Sequence, residues 1–570
     1  MSSRFVWIDP ESVPADASPL DADPLVHALL WRRGVRSRSE AIEFLSTRAS
    51  AAPDPAALPN MSAAAERVHR ALERRETIGI FGDYDVDGIT STALLLTAFH
   101  GATLADDQVI ARLPRRDEGY GLNDAALDEF AAAGVQLLLA VDCGSTDHEH
   151  VAGAIARGMD VVILDHHQMD GPGPEGAITV SARLEPDAPY AECCSAALAY
   201  LLVSLLACNG APVDGGDGRP ETDLLDFVAL GTIGDVAPLT GVNRAFVRDG
   251  IQVMRRYPRW GFRALCAAAN LETESIEAES IPFKLTPRLN AAGRLGDPRI
   301  ALDLMLAPDP LEAHALAGKI EALNNERRAL TDRITFEAEE PLRSQPDWDA
   351  RRAFVLFGEE WHAGLLGILA GRFASQYGRP VVALGGAGEF GKGSARSVPG
   401  FDIMAALSPH RAAFEHFGGH SQAAGLTLAR DRIDDLGRWL DEAINALEIA
   451  IPIAPSLQID VDLTIEQLTL NAYKEFERLQ PFGEQNPRPV VRCRNVLVNE
   501  IGVMGSDRSH LRLALGTPYG NVKAVYWGAA DRSWQAPVGK RIDIAGVLQH
   551  DTWRGANRLQ LELKDFSASS

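Results

Sequence analysis

Short apolar segments alternate with longer amphipathic ones between residues 77 and 164. Short apolar runs rich in β-branched residues are typical of buried strands, whereas apolar residues three and four apart are typical of helices. The pattern predicts strands at 77–82, 108–113, 135–141 and 160–164 and helices at 90–100, 124–133 and 147–157. Strands that alternate with helices across short connections indicate a parallel α/β sheet.

The segments before and after this region have other patterns. Residues 1–45 predict a small helical preface, and the Ala- and Pro-rich stretch 49–57 predicts a linker before a helix at 63–73. Residues 310–341 predict a long amphipathic connecting helix, with one apolar face formed by Leu316, Ile320, Leu323, Leu330 and Ile334.

A second α/β pattern begins at residue 354 and predicts a strand at 354–357, a helix at 363–375, a strand at 380–384 and a Gly-rich turn at 391–396. After Pro452, short strands separated by turns predict a small β-barrel. The fold class is therefore a multidomain α/β protein. We expect a preface and linker at 1–62, a parallel-sheet domain at 63–300, the connecting helix at 301–345, a smaller α/β domain at 346–450 and the barrel at 451–570.

The chain of 570 residues is acidic, with a net charge of −23, which argues against nucleic-acid binding by the whole surface. Residues 486–566 differ, because they carry twelve basic and seven acidic residues. The six cysteines form no C-x-x-C pair, so neither a zinc site nor a disulfide framework is indicated. No signal peptide and no apolar run of about 20 residues is present, and we expect a cytoplasmic protein.

Three carboxylates follow the predicted strand at 77–82, namely Asp83, Asp85 and Asp87. Two such charges about 4 Å apart repel by about 4 kcal/mol at an effective dielectric constant of about 20, so a cation is expected among them. An EF-hand calcium loop would need Glu at its twelfth position, which is Leu94 here. A solvated acidic turn is the simplest alternative for these residues taken alone.

Other predicted elements also end in ligand-type residues. The strand at 135–141 is followed by Asp142, the strand at 160–164 by Asp165, His166 and His167, and the helical run 224–230 opens into Gly- and Thr-containing sequence before Asp235. Strand ends of a parallel sheet converge on one edge. Carboxylates with imidazole suit Mn²⁺ or Mg²⁺ better than Zn²⁺.

These segments resemble the motifs of the DHH phosphoesterase superfamily. The similar stretches are D-Y-D-V-D-G at 83–88, V-D-C-G at 141–144, D-H-H at 165–167 and G-T-I-G-D at 231–235. Residues 288–295 and 418–425 resemble the second, DHHA1, domain of that superfamily. The resemblance extends over almost the whole chain, and it is strongest to the single-strand-specific exonucleases, which implies that the C-terminal barrel is an OB-fold.

The resemblance implies two divalent ions, Mn²⁺ or Mg²⁺, held by Asp85, Asp87, Asp142, His166 and Asp235. Asp83 would ligate directly or orient the other ligands. His167 would contact the scissile phosphate, and Asp165 would orient an imidazole. These residues other than Asp83 and Asp165 form the expected catalytic set.

The resemblance also implies residues that bind DNA. Arg115, Arg116, Tyr120, Ser394 and Arg396 resemble positions that hold a terminal 5′-phosphate, and either arginine of the first pair could do so. Arginine grips phosphate oxygens bidentately, although exposed arginines also serve solubility alone. The strand backbone would meet Arg288, Asn290, Arg294 and His420. In the barrel, the aromatic residues available for stacking on bases are Tyr519, Tyr526, Trp527, Trp534 and Trp553.

The function implied is a processive 5′→3′ exonuclease on single-stranded DNA that releases 5′-mononucleotides in recombination and repair. Single-strand-binding protein and a RecQ-type helicase are the implied partners of a monomer. Two alternatives stay open at this point. A different phosphodiesterase or pyrophosphatase of the superfamily would share the metal ligands but need no barrel, and a binding-only accessory protein would need no competent ligands.

Overall fold

The computed structural model describes residues 4–100, 108–169, 171–213, 224–344, 348, 350–446, 455–505, 508–518, 520–551 and 557–569. The chain forms two compact units. The central unit comprises residues 47–341 and 481–486, and the flanking unit comprises residues 1–46, 342–480 and 487–570. No helix in the described part of the chain is long and apolar enough to cross a membrane.

The strands, in chain order, are β1 Val6–Ile8, β2 Ile78–Gly82, β3 Val109–Arg112, β4 Leu137–Val141, β5 Asp160–Leu164, β6 Ile178–Val180, β7 Phe354–Gly358, β8 Val381–Gly385, β9 Phe390–Arg396, β10 Phe414–His420, β11 Ala423–Ala429, β12 Ser456–Gln458, β13 Val461–Asp462, β14 Val490–Met504, β15 His510–Thr517, β16 Gly520–Tyr526, β17 Arg541–Asp551 and β18 Arg558–Ala568.

The α-helices are α1 Pro24–Arg32, α2 Arg38–Ser46, α3 Met61–Arg74, α4 Val86–His100, α5 Asp124–Ala132, α6 His148–Ala156, α7 Ser195–Cys208, α8 Leu225–Gly234, α9 Gly241–Arg256, α10 Trp260–Ala268, α11 Thr286–Leu295, α12 Arg299–Met305, α13 Pro310–Arg343, α14 Ala363–Tyr377, α15 Ile403–Leu407, α16 Ile433–Asn445 and α17 Leu470–Glu477.

The central unit is built on a parallel sheet with the strand order β3-β2-β4-β5-β6. This confirms the four predicted strands and their parallel arrangement. Strands β2 and β4 are buried along their whole length, as expected for a sheet covered on both faces. Helices α4 and α7 pack against the sheet, and helix α8 packs against both of these helices. All three contribute most of their apolar residues to one large core.

Two predictions in this unit were wrong in detail. Helix α4 begins at Val86, four residues before the predicted start, so Asp87 lies in its first turn. Helix α8 continues through Gly231 to Gly234, where an opening into a loop was predicted, and Asp235 is its C-cap residue. Glycine and aspartate are poor helix formers, but tertiary packing overrides that preference here.

The smaller α/β region of the flanking unit has the sheet order β10-β11-β9-β8-β7. Strands β7 and β8 are parallel, and the other neighbours are antiparallel. The Gly-rich segment predicted as a turn at 391–396 is instead part of strand β9. A Cβ atom at Gly393 would lie 2.9 Å from Leu426 of the next strand, so the glycine permits close packing between the strands.

The C-terminal barrel is closed, because β14 pairs with both β15 and β17 in the order β14-β15-β16-β18-β17. Its main strands contain 7 to 15 residues and are longer than predicted. The preface is not only helical, since β1 pairs in parallel with β12. Its Trp7 Nε1 donates to Asp565 Oδ2 at 2.9 Å, which fastens the preface to the buried end of the last strand.

Candidate active site

Three neighbouring strands of the central sheet end at the same level. The last residues of β2, β4 and β5 are Cα partners. The next residues along the chain are Asp83, Asp142 and Asp165, and all three are buried. Because these strands are parallel, their carboxyl ends share one edge, and the convergence predicted from the sequence is present.

The acidic stretch after β2 forms the start of helix α4. Oδ1 of Asp85 accepts hydrogen bonds from the backbone N–H groups of Asp87 at 3.0 Å and Gly88 at 3.3 Å. A Cβ atom at Gly88 would lie 2.5 Å from the backbone of Asp83, so only glycine allows the helix to begin this close to the strand. The tight turn places three carboxylates within one short segment.

His166 lies among these carboxylates. Its Nε2 is 3.2 Å from Oδ1 of Asp142, 3.7 Å from Oδ2 of Asp235 and 3.8 Å from Oδ2 of Asp87. Within the described part of the chain, this Nε2 and Oδ1 of Asp83 are buried and have no hydrogen-bond partner. Buried polar atoms are normally hydrogen-bonded, so two unpaired ligand atoms side by side with carboxylates fit a cation-binding site.

The predicted ligands form three overlapping groups. In each group, the candidate ligand atoms lie within 4.8 Å of one another. The groups are Asp83 with Asp85 and Asp142, Asp87 with His166 and Asp235, and Asp142 with His166 and His167. Such hard oxygen donors with imidazole fit Mn²⁺ or Mg²⁺.

The electrostatics of the group also favour a cation. Burial, followed by the neighbouring Asp85, raises the pKa of Asp83 to about 8, and burial with the neighbouring Asp87 raises the pKa of Asp235 to about 8. Burial and the negative charges of Asp87, Asp85 and Asp83 raise the pKa of Asp142 well above its ordinary value. Burial lowers the pKa of His166, which keeps its imidazole neutral and able to ligate a metal.

The pKa values of Asp165 and His167 shift toward the charged forms, in contrast to those of the carboxylates above. The ring Nδ1 of His167 lies 2.8 Å from Oδ1 of Asp165, and the backbone N–H of Ser145 donates to Oδ2 at 3.1 Å. Burial acts to lower the pKa of His167, but the hydrogen bond and charge of Asp165 raise it to about 9. The Tyr120 hydroxyl is 3.1 Å from the same Nδ1 and donates to the carbonyl of Asp142 at 3.1 Å.

Two features of the site were not predicted. The backbone N–H groups of Ser195 and Ala196, at the start of α7, donate to the two carboxylate oxygens of Asp87. Nε of Arg183 donates to the carbonyl of His166 at 3.0 Å. A serine before the apolar run of α7 could have indicated the helix start, but backbone donors leave no signal of their partner in the sequence.

The arginine pair predicted to meet a 5′-phosphate divides into two environments. Arg115 is exposed, and its Nε is 3.3 Å from Oδ1 of Asp117. The guanidinium of Arg116 lies 4.2 Å from the ring centre of Tyr84, and its Nε donates to the carbonyl of Gly293 at 3.3 Å. Arg116 is therefore held beside the residue that links Asp83 and Asp85.

The segment 288–295 forms most of helix α11 in the central unit, whereas its resemblance suggested the second α/β domain. Its Asn290 Oδ1 is buried without a hydrogen-bond partner in the described residues.

Arg288 was predicted to contact a DNA backbone, but its Nε is 2.6 Å from Glu321 and its Nη1 donates to the Lys284 carbonyl. These partners hold the buried guanidinium in place, and its contact with a DNA backbone stays a prediction. Arg294 lies close enough to Tyr84 to lower the pKa of that phenol, against the dominant effect of burial.

In the flanking unit, Ser394 and Arg396 lie on β9, and Nη1 of Arg396 donates to Oγ of Ser394 at 3.1 Å. A Cβ atom at Gly367 of α14 would lie 3.1 Å from Nη2 of Arg396 and 3.2 Å from Oγ of Ser394, so the helix approaches both polar groups closely. His420 ends β10 and is exposed, and its Nδ1 accepts from the backbone N–H of Gln422 at 3.3 Å.

The aromatic residues of the barrel are of two kinds. Tyr526 is 5% exposed and packs edge-on against Phe566 in the barrel core. Trp527 and Trp534 are 48% and 71% exposed. The predicted candidates Tyr519 and Trp553 lie outside the described residues. Exposed indole rings are the kind of surface on which bases stack.

Comparisons with known proteins agree with this architecture. The chain matches the DHH family N-terminal domain over residues 77–232, the DHHA1 domain over residues 351–446 and the RecJ OB domain over residues 459–565. It is 32% identical over 581 residues to the single-stranded-DNA-specific exonuclease RecJ of Bacillus subtilis, a match that covers 100% of this chain and 72% of that relative.

Two solved structures are similar over the whole chain. The crystal structure of RecJ from Thermus thermophilus in complex with Mn²⁺ has a TM-score of 0.84 and 27% identity, and covers 100% of this chain and 80% of that one. The Mg²⁺ complex from the same organism has a TM-score of 0.77 and 26% identity, and covers 100% of this chain and 79% of that one. These are the two metals predicted from the sequence. Together the full-length identity and the three matched domains show that this chain belongs to the RecJ family.

Proposed function

We propose that this protein is a single-stranded-DNA-specific 5′→3′ exonuclease that hydrolyses phosphodiester bonds with two divalent ions, Mn²⁺ or Mg²⁺, and releases 5′-mononucleotides. The observation that carries the proposal is the convergence of His166 with Asp87, Asp142 and Asp235 within 3.2–3.8 Å. Every predicted ligand position holds a competent donor, which argues against a binding-only accessory protein.

The ions would be held by Asp85, Asp87, Asp142, His166 and Asp235, with Asp83 as a further ligand or an orienting group. When bound, such ions activate water and neutralise charge on the phosphate and leaving oxygen. Asp142 belongs to two of the three candidate ligand groups, which supports a bridging role for that carboxylate.

His167 is the proposed contact to the scissile phosphate. Its pKa of about 9 keeps the ring cationic at neutral pH, because the hydrogen bond and charge of Asp165 outweigh the effect of burial. The side chain is 44% exposed, so it is accessible to a substrate. A cation presented next to the carboxylate group suits binding of a phosphodiester anion.

For the 5′-phosphate, the proposed residues are Arg116, Tyr120, Ser394 and Arg396. Arg116 is favoured over Arg115 because it is fixed against Tyr84, while Arg115 is exposed and paired with Asp117. Asn290, Arg294 and His420 are proposed contacts of the strand backbone. In the OB-fold, the exposed Trp527 and Trp534 are proposed to stack on bases at about 1–3 kcal/mol each.

The oligomeric state, cellular location and partners are also proposed, because the family implies them. We propose that the protein acts as a monomer in the cytoplasm, in recombination and repair, with single-strand-binding protein and a RecQ-type helicase as partners. The net positive charge of residues 486–566 in an otherwise acidic chain supports nucleic acid as the substrate of this protein over a small cyclic dinucleotide or pyrophosphate.

The test is digestion of single- and double-stranded DNA labelled at either end, with Mn²⁺ and with chelator. We expect metal-dependent loss of the 5′ label from single strands as mononucleotide, while 3′-labelled strands shorten gradually. Early release of the 3′ label would contradict the polarity. Asp142→Ala is the matched inactive variant, and undiminished turnover in it would exclude the proposed metal site.

A further inference from the structure

The start of helix α7 contacts two of the proposed metal ligands at once. The backbone N–H groups of Ser195 and Ala196 donate to Oδ2 and Oδ1 of Asp87 at 2.7 and 2.9 Å. The hydroxyl of Ser195 donates to Oδ1 of Asp142 at 3.3 Å. We infer that Ser195 is a positioning residue that fixes Asp87 and Asp142 relative to one another for metal binding, an inference that rests on the proposed function.

The two N–H groups suit this task because the first N–H groups of a helix have no acceptor within the helix. They also lie at the positive end of the helix dipole, which favours a carboxylate. Both oxygens of Asp87 are engaged, so its carboxylate plane is fixed. The N-cap residue of α7 is Cys194, which makes no side-chain cap bond, and the Asp87 carboxylate therefore takes the place of a capping side chain.

Helix α8 packs against the Asp87 carboxylate from the side opposite the two N–H groups of α7. A Cβ atom at Gly231 would lie 2.7 Å from the Ala196 Cβ atom and 2.8 Å from Oδ1 of Asp87. Contacts under 3.0 Å cannot be accommodated without movement of one of the groups. Helices α4, α7 and α8 are thus packed tightly at this point, and the carboxylate has little freedom to rotate.

The hydroxyl of Ser195 matters because Asp142 has an unusual backbone. Its φ of +62° lies in the left-handed region, which is uncommon for a residue other than glycine. Oδ1 of Asp142 is also the oxygen nearest to Nε2 of His166. The contact from Ser195 is longer than the about 2.7–2.8 Å of a strong hydroxyl bond, so its effect is to orient this oxygen more than to stabilise the fold.

A buried serine could instead serve only the fold, and the same helix supplies the control. Ser204 lies nine positions farther along α7, and its buried hydroxyl has no hydrogen-bond partner among the described residues. Ser204→Ala therefore makes the same chemical change in the same helix without touching a carboxylate. Ser195→Ala keeps both backbone N–H groups and removes only the hydroxyl.

The experiment measures Mn²⁺ binding to the full-length, metal-free protein by isothermal titration calorimetry, without DNA. Outer-shell partners of metal ligands typically contribute 10–100-fold to affinity, and we expect a loss in about that range for Ser195→Ala. Ser204→Ala should bind Mn²⁺ like the wild type. Single-strand binding in chelator should be equal in all variants, and excess Mn²⁺ should restore turnover of Ser195→Ala.

The outcomes separate this inference from the proposed function. If Ser195→Ala binds Mn²⁺ like the wild type while Asp142→Ala does not, the positioning role is wrong and the metal site stands. If Asp142→Ala also binds Mn²⁺ undiminished, the proposed metal site is wrong. Should Ser195→Ala fail to fold, Ser195→Gly also removes the hydroxyl and keeps both backbone N–H groups, and wild-type affinity in that variant would overturn the inference.

Discussion

Asp142 and Asp165 follow adjacent strands, β4 and β5, and both are at most 2% exposed. Their pKa values nevertheless move in opposite directions. Burial and the charges of Asp87, Asp85 and Asp83 raise the pKa of Asp142. Burial acts in the same direction on Asp165, but its hydrogen bond and attraction to His167 outweigh burial, and its pKa lies well below the ordinary value.

The difference shows which negative charges the chain neutralises itself. Asp165 has a cationic partner and a backbone N–H donor, so it needs nothing from outside the protein. Asp142 has carboxylates as its main electrostatic neighbours, so its ionised form requires an added cation. The edge of the sheet therefore contains one internally balanced ion pair beside one set of carboxylates that the described part of the chain does not neutralise.

The largest effect is expected from Asp142→Asn, because the amide has the shape of the protonated acid but cannot supply a charged ligand. Turnover of single-stranded DNA should fall by more than about 100-fold, since loss of even an outer partner of a metal ligand costs about 10–100-fold. Stability of the metal-free protein should be unchanged or higher, because asparagine cannot carry the negative charge that burial and the neighbouring carboxylates disfavour. Wild-type turnover, measured with end-labelled substrate, would contradict the contrast between the two aspartates.

Metal binding should stabilise the central unit, and the gain should grow with the logarithm of the free metal concentration once this exceeds the dissociation constant. At a Mn²⁺ concentration about 100 times the dissociation constant, linkage predicts about 2.7 kcal/mol per site in the free energy of unfolding. The melting temperature of the wild type and of Asp165→Asn should rise on addition of Mn²⁺ and return with chelator. Asp142→Asn should show no comparable rise, and an equal rise in that variant would place the ions elsewhere.

Asp165→Asn should reduce the stability of the metal-free protein at neutral pH. It removes the negative charge that pairs with His167 and leaves one acceptor oxygen for two donors, the His167 ring and the Ser145 N–H. A hydrogen bond to a charged group is worth about 1.5–3 kcal/mol. Chemical denaturation in chelator measures the change, with Asp142→Asn as the matched control at the end of the neighbouring strand. If both variants have the same stability, the internal balance assigned to Asp165 is wrong.

The smallest effect concerns pH. The pKa of His167 is raised to about 9 in the folded protein, against about 6.5 in the unfolded chain. Stabilisation by its pair with Asp165 is therefore complete below about pH 6.5 and is lost as pH rises through about 9. The stability difference between the wild type and Asp165→Asn should shrink over this range, and NMR titration of the His167 ring in metal-free protein should give the raised pKa directly.

Most of the site could be predicted from the sequence because the carboxyl ends of parallel strands lie at one edge of their sheet. Asp83, Asp142 and Asp165 each follow an apolar run, and strand ends of one parallel sheet must meet. His166 and Asp235 could be added because their residue types belong to the same chemistry. The local pattern thus predicted which carboxylate and imidazole side chains converge, without any knowledge of distances.

What could not be predicted depends on partners that sequence patterns do not show. The start of α4 was placed too late because Asp87 and Gly88 have low helix propensity, whereas Oδ1 of Asp85 caps the helix at that point. The contacts that hold Asp87 come from the backbone N–H groups of Ser195 and Ala196, which any residue type except proline would supply. The ion pair between Arg288 and Glu321 could not be predicted either, because the two residues lie 33 positions apart and spacing does not reveal such a pair.

The attachment of Trp7 to Asp565 joins residues that are 558 positions apart. At a synthesis rate of about 5–20 residues per second, roughly half a minute to two minutes separate the emergence of the two side chains from the ribosome. Strand β1 must pass that interval without its final anchor, whereas residues 47–341 of the central unit are complete long before it. The newly made chain can therefore assemble its metal-binding half first and close its DNA-binding barrel onto the preface last.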